Sequence, residues 1–353
     1  MRLQTVVRWL AYSLIFLLTL EGLARLDDWA QDDAPLAGNH DIETVFLSAP
    51  GAKAGKPGAH FGKWKMNSLG FRGPEPVKNR QNVLVYGASE SFGIYESPEQ
   101  EYPRQLARLL DDASPERYNV LNAAVPGLRI GRMGYLDHIL QKSPASHLVV
   151  YPTPAAYIGV DKPFCDEPAV WPTDLRPSNA PRSRLLGKAE TVAKQVMPEG
   201  LMTALKEFGI WRAARHVTVV DRLPDVALQA FETDLRCVVE RARKAGAQPV
   251  LLTHGNYFGG AITPENRPML VAWRRFYPDL SESGFLDMEA RANDVIRRVA
   301  QSEGAVLVDI ATSVPPGPKQ YADFVHFTDE GARRVAQELS SAILAAAPKG
   351  EQP

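Results

Sequence analysis

The sequence predicts an α/β protein: a parallel sheet of about five strands covered by helices on both faces, preceded by one N-terminal membrane helix. Three observations predict it. From Asn82 onward, short apolar runs alternate with stretches of helical periodicity, and strand–helix alternation of that kind builds parallel sheets buried on both sides. Ahead of them lies an uncharged, mostly apolar run, Trp9 to Leu20. Hydrophobic residues make up 45% of the 353, an ordinary globular fraction that excludes a disordered chain.

The N-terminal run follows Arg2 and Arg8 and precedes Asp27, Asp28, Asp32 and Asp33. Positive before and acidic after leaves the N-terminus in the cytoplasm and translocates the rest. Residues 6–26 reach the ~20 residues a spanning helix needs, if Glu21 sits at the interface. A cleaved signal peptide is the alternative, but no Ala-x-Ala stands where a peptidase would cut, and no cysteine follows closely enough for a lipoprotein. A buried helix of a cytosolic protein fits the charge asymmetry less well. The organisation expected is a signal anchor over 1–26, a Gly-, Pro- and Lys-rich connector over 27–66, a main domain over 67–347 and a tail over 348–353.

Within the main domain, Asn82–Tyr86 reads as a buried strand and Glu101–Leu110 as an amphipathic helix. Tyr118–Asn122 is the second strand, turning at Pro126-Gly127, and His147–Tyr151 the third. About 152–229 interrupts the alternation as an insertion, Pro-rich loop first and helical over about 184–217. A helix over about 228–245, stopped by Lys244 and Gly246, leads into the fourth strand, Gln248–Thr253. A helix over about 285–302 precedes the fifth strand, Ala305–Asp309, and a helix over about 329–346 closes the domain.

Forty basic against 41 acidic residues give no reason to expect a nucleic-acid partner. The two cysteines, Cys165 and Cys237, are too few for a disulfide scaffold or a zinc cluster; they are either two buried thiols or, in an exported protein, one disulfide tying a loop to a helix. The seven histidines show no metal-ligand spacing, and P-loop and dinucleotide motifs are missing, so no metal and no cofactor is expected.

Sites in parallel sheets lie beyond the carboxyl ends of the strands, which directs attention to 86–93, 122–127, 152–159, 254–258 and the loop after Asp309. Gly87-Ala88-Ser89 ends the first strand. A serine on a tight strand-to-helix turn exposes its hydroxyl, and nearby backbone amides can stabilise an oxyanion, although small residues there also simply make turns. Asp323 and His326 lie three apart before the last helix, a spacing that lets the carboxylate orient an imidazole able to take a serine proton. Thr328 beside them can merely cap that helix.

Taken together, the two segments resemble the SGNH (GDSL) hydrolase family, whose first block is strand-Gly-Asp-Ser and whose last is Asp-x-x-His before the C-terminal helix. Ala88 stands in place of the family's aspartate. Asn122-Ala123-Ala124-Val125-Pro126-Gly127 resembles the second block, and Asn67-Ser68-Leu69-Gly70-Phe71-Arg72-Gly73 the lead-in common to membrane-anchored members. The resemblance spans about 67–346. It implies a three-layer, flavodoxin-like αβα fold with Ser89 as nucleophile, His326 as base, Asp323 as its orienter, and the amides of Ser89 and Gly127 as the oxyanion hole.

One block departs. Where the family ends its third strand in Gly-x-Asn-Asp, the asparagine donating to the oxyanion, this chain reads Tyr151-Pro152-Thr153-Pro154. Losing one such donor typically costs ~10²–10³ in rate. Candidate replacements or substrate contacts are Thr153, His254 and Asn256, with Asn122 and Tyr157 also near strand ends; for His254 a solvated loop position and for Tyr157 plain packing are the simpler expectations. Trp171, Trp273, Phe276 and Tyr277 either stack on sugar rings or pack.

The function expected is serine-dependent ester hydrolysis, or acyl (above all acetyl) transfer, on a cell-envelope polysaccharide, by a domain held outside the inner membrane. The substrate is then an acylated carbohydrate or other small ester, and polysaccharide synthesis machinery a potential partner. The rival is a catalytically weak or inactive glycan-binding or assembly component of a synthesis and export complex. Ala88 and the missing asparagine favour the rival; retention of all three triad residues opposes it.

Overall fold

The computed structural model describes residues 3–32, 34–38, 40–177 and 183–346; the expected tail, 348–353, lies outside them. Helix α1, Leu3–Asp32, is 30 residues long, ~45 Å at the α-helical rise and more than a ~30 Å hydrocarbon core requires. Within it Gln4–Gln31 has a mean hydropathy of 1.6 over its most apolar window, and Trp9, Leu14, Phe16 and Leu18 stand exposed. The helix runs past the expected boundary at 26 because its charged end is docked. Lys188 pairs with Asp27 at 2.8 Å and with Asp28 at 2.7 Å. Glu21 accepts from the Ser183 hydroxyl at 2.7 Å and from the Arg184 and Leu185 amides at 3.1 Å each, capping the start of the helix Arg184–Val196.

Five strands, β1 (Gln81–Gly87), β2 (Tyr118–Asn122), β3 (His147–Tyr151), β4 (Gln248–Leu252) and β5 (Val306–Val308), form one parallel sheet in the order β2-β1-β3-β4-β5. This is the flavodoxin-like doubly wound order, whose topological switch point lies between β1 and β3. The strands are continuous apolar runs because successive side chains serve opposite layers. Val83, Val85, Val149, Tyr151, Val250 and Leu252 face one layer, and Leu84, Tyr86, Leu148, Val150 and Leu251 the other.

Two helices cover the first layer: α3 (Tyr102–Ala113), through Leu106 and Leu110, and the C-terminal α10 (Asp329–Ala346), through Val335 and Leu339. The second is covered by α4 (Met133–Lys142), α7 (Asp225–Lys244) and α9 (Glu282–Glu303), which bury Leu136, Phe231, Leu235, Phe285 and Met288. Each such side chain contributes ~1.5–3 kcal/mol on burial. α9 begins at Ser281, whose hydroxyl accepts from Gly284 N–H at 3.1 Å, and stops at Gly304 with φ 59°. The insertion holds helices α5 (Arg184–Val196) and α6 (Glu199–Ala214), then leads to α7; α8 (Arg267–Arg274) follows β4.

The segment expected as a connector is a folded part of the domain. Phe46–Ala49 and Ala52–Gly55 pair as a hairpin, and Val45, Phe46 and Met66 are buried in the main core. Its glycines let backbones touch: a Cβ on Gly55 would meet the Gly70 carbonyl oxygen at 2.0 Å. Scattered Gly and Pro conceal this packing because the apolar anchors are too widely spaced to show any period. Cys165 and Cys237 are bridged, joining the insertion loop to α7.

Candidate active site

Ser89 opens the one-turn helix α2 (Ser89–Phe92) directly after β1. The turn needs Gly87, since a Cβ there would lie 2.3 Å from Ser91 Oγ. Ala88, 3% exposed, packs into the apolar core. Arg72, from the lead-in segment, holds the end of α2: its guanidinium donates to the carbonyls of Phe92 and, at 2.6 Å, Gly93, and pairs with Glu101 at 2.8 Å. The segment after β2 prolongs the sheet register, with Ala123 N–H donating to Val85 O and Val125 N–H to Gly87 O, both at 3.0 Å. Gly127 therefore stands two residues beyond the paired Val125, as Ser89 stands two beyond Gly87. Gly127 is exposed with φ 80°, and among the described residues its N–H makes no hydrogen bond.

Asp323 and His326 come together on the loop before α10. His326 Nδ1 lies 2.8 Å from Asp323 Oδ2, and Asp323 Oδ1 also accepts the Val325 and His326 amides at 3.0 and 2.9 Å. That leaves His326 Nε2 buried and without a hydrogen-bond partner among the described residues. Tyr95 packs on the imidazole, ring centres 5.2 Å apart. Burial opposes the charge on His326, but Asp323, Glu90 and Glu96 outweigh it and raise its pKa. Burial likewise opposes the charge on Asp323; the hydrogen bond from His326, its charge and the two amides bring that carboxyl below its usual range.

The Ser89 hydroxyl does not point at His326. It donates to Glu90 Oε2 at 2.9 Å, and Glu90 leads into a second buried cluster. Glu90 Oε1 lies 3.7 Å from His254 Nε2; His254 Nδ1 lies 2.6 Å from Glu289 Oε2; Glu289 Oε1 accepts from the Tyr157 hydroxyl at 3.0 Å. His254 is fully buried and stacks on Tyr151 at 5.5 Å. Burial works against its charge, yet Glu289 and Glu90 outweigh it and bring its pKa up to about 9. Burial pushes Glu90 upward, but the hydrogen bond to His254 and the charges of His326 and His254 hold it below the ordinary carboxylate value.

The other sequence candidates sort by their hydrogen bonds. Asn122 is not a substrate contact: 2% exposed, it donates to Ser91 O at 2.9 Å and accepts from Ala124 N–H at 3.1 Å, joining the end of β2 to α2. Asn256 is committed to its own turn, accepting the Phe258 and Gly259 amides and donating weakly to Glu289. Tyr157 lines no groove; it is fully buried against Phe231 and orients Glu289. Thr153, 3% exposed, starts the short 3₁₀ turn after β3. His254 is the opposite of a solvated loop residue. Trp273 is core, stacked between Phe258 and Phe324.

Two residues of the cluster, Glu90 and Glu289, belong to no motif in the sequence. The available signal for Glu289 was a carboxylate on the apolar stripe of its helix, beside Phe285, Met288 and Ala292.

No family model matches the chain, and no curated protein matches it. Solved structures similar to it include an alpha/beta hydrolase enzyme from the metagenome of Lake Arreo, Spain (12% identity, TM-score 0.45, covering 76% of this chain and 97% of that one). An acetyl xylan esterase is similar at 15% identity and TM-score 0.42, over 74% of this chain and 99% of that one. An acetylxylan esterase from Geobacillus stearothermophilus is similar at 13% identity and TM-score 0.42, over 74% and 94%.

Proposed function

We propose that the chain is a serine esterase or O-acyltransferase of the SGNH type, acting on acyl esters, acetyl above all, of an envelope or exported polysaccharide. The observation that carries the reading is the Asp323–His326 pair, whose Nε2 is buried and uncommitted at the same sheet end as Ser89. In this reading the Ser89 hydroxyl turns from Glu90 to His326. Its oxygen attacks the ester carbonyl carbon while the proton passes to Nε2. The carbonyl oxygen takes up the negative charge beside the Ser89 and Gly127 amides. Collapse expels the sugar alkoxide, which takes the proton back from His326, and leaves an acyl-serine. Water resolves it as an esterase; a second sugar hydroxyl resolves it as a transferase.

The membrane-side reading is that α1 anchors the chain in the inner membrane with the domain outside. It is supported by the exposed apolar length of α1, by the cystine, which suits an oxidising compartment, and by apolar side chains left exposed on α6: Leu201, Leu205, Phe208 and Trp211. The protein is then expected in the membrane fraction at full length; a mature N-terminus near residue 30 overturns the anchor.

One observation favours the rival, a non-catalytic glycan-binding or assembly component: the serine hydroxyl is held by Glu90. The deciding experiment is p-nitrophenyl acetate turnover by the full chain in detergent beside Ser89→Ala. Turnover lost in the variant, with the thermal transition unchanged, supports the enzyme; equal rates in both move the reading to the binding protein. Acetylated glycan with and without an acceptor sugar then separates hydrolysis from transfer.

A further inference from the structure

A cavity of about 400 Å³ opens between the Phe46–Ala49/Ala52–Gly55 hairpin, the first turn of α4 and the insertion loop at 164–171, and Gly127 forms part of its wall. Two half-buried arginines enter it. The guanidinium carbons of Arg129 and Arg132 each lie 5.3 Å from the centre of the Phe164 ring. Arg132 also donates to Gly51 O at 3.0 Å. Among the described residues neither arginine has a carboxylate within ion-pair distance. The other charged groups of the wall are paired elsewhere, Lys53 with Glu43 at 2.8 Å and Glu167 with Lys162 at 3.5 Å.

Two like charges gathered on one aromatic ring, partly withdrawn from water and with no carboxylate among the described residues within ion-pair distance, repel each other more strongly than they would in bulk solvent. An anion placed between them relieves that repulsion and gains charge-assisted, bidentate hydrogen bonds. The positive end of α4, whose first turn lines the cavity, acts in the same direction.

The site is also built to hold its shape. Phe164 precedes Cys165, which is bridged to α7 and whose N–H donates to Asp234 at 2.8 Å. Gly134 lets the loop lie directly on α4, since a Cβ there would meet Val170 O at 2.5 Å. That contact seats Trp171, half-buried beside Tyr135 and His138, in the wall as an apolar surface suited to a pyranose ring.

Resting on the esterase reading above, we propose that this cavity is a subsite for an acidic sugar residue next to the acylated one, so that the substrate is an anionic polysaccharide. Arg129 and Arg132 hold the anionic group, Trp171 the ring, and Gly127 joins the subsite to the reacting ester. The shared chemistry is an oxyanion carried on a sugar, either a uronate carboxylate or a phosphate ester.

The test is binding, which does not depend on turnover. The full chain in detergent is titrated calorimetrically with tetragalacturonate, neutral xylotetraose, glucose 1-phosphate and inorganic phosphate, at low and high salt. The acidic sugars should bind at least about tenfold more tightly than xylotetraose, with affinity falling as salt rises. Whichever of uronate and sugar phosphate binds tighter identifies the source of the anion, and either preference supports the subsite. Arg129→Gln and Arg132→Gln should each lose about tenfold for the acidic sugar at an unchanged thermal transition. Should Arg129→Gln misfold, Arg129→Lys, which keeps charge but not the fork, should bind between wild type and no binding.

Equal affinity for xylotetraose, full affinity in both glutamine variants, or no binding of either acidic sugar overturns the proposal. So does inorganic phosphate binding as tightly as the sugars, which marks an anion site without glycan recognition. Failure of the catalytic reading shows separately, as p-nitrophenyl acetate turnover that does not depend on Ser89.

Discussion

Replacing Glu289 by glutamine should flatten the dependence of stability on pH between about 6.5 and 9. Glu289 holds His254 Nδ1 at 2.6 Å, both groups are buried, and the imidazole's pKa rises from 6.5 to about 9. A folded-state pKa above the unfolded value means that the folded chain holds the proton more tightly. The stabilisation is therefore complete below about 6.5 and is lost as pH climbs to about 9. Two and a half decades of proton affinity amount to about 3 kcal/mol, a large part of a domain's net stability. His326, also raised, adds a loss of the same sign in this range, so the informative quantity is the difference between wild type and Glu289→Gln.

Urea midpoints of the full chain in detergent, followed by tryptophan fluorescence at pH 6, 7.5 and 9, measure this difference. Wild type should lose roughly 3 kcal/mol or more across the range. The variant should be less stable at pH 6, where it lacks the buried ion pair, and should change much less towards pH 9. A wild type with flat stability, or a variant that keeps the full decline, would refute the argument that His254 is protonated in the fold by its buried carboxylates.

Two further predictions concern the site and its frame. His326 must be neutral to accept the Ser89 proton, so kcat/KM should rise with pH through an apparent pKa above 6.5; Glu90→Gln, by removing one of the carboxylates that raise it, should move that limb to lower pH, and an unmoved limb would show that Glu90 does not reach His326 electrostatically. Glu96, which burial pushes up to about 7, titrates in the same range, so the profile is to be repeated in Glu96→Gln. The Cys165–Cys237 bridge links positions 72 apart; Cys237→Ser with Cys165→Ser should lower stability by ~2–5 kcal/mol, and an unchanged urea midpoint would show that the loop is held without the bridge.

What could be read from the chain in advance was whatever is local. β2, β3 and α10 begin and end at the expected residues, because a strand buried on both faces is a continuous apolar run bounded by turn residues, and α10 starts at a capping threonine. Ser89, Asp323 and His326 stood out because each lies in a short block at a strand end or helix start, and the Asp–His bond spans only three residues. The packed connector was less legible: Val45, Phe46 and Met66 are anchors without a period, made core only by the sheet they land on.

By itself, then, the sequence determined the layer architecture, the apolar N-terminal helix and the Asp323–His326 contact, since all three follow from periodicity or from neighbours along the chain. Only the tertiary structure decided what surrounds them. It placed Glu90, His254, Glu289 and Tyr157 in one buried chain of hydrogen bonds and charges, joining residues as many as 164 positions apart. It committed Asn122 and Asn256 to the scaffold and gathered Arg129 and Arg132 on Phe164. The physical reason is the same in each case. The energy of a charge or a polar group depends on its burial and on the partners brought to it, and both are properties of the folded chain.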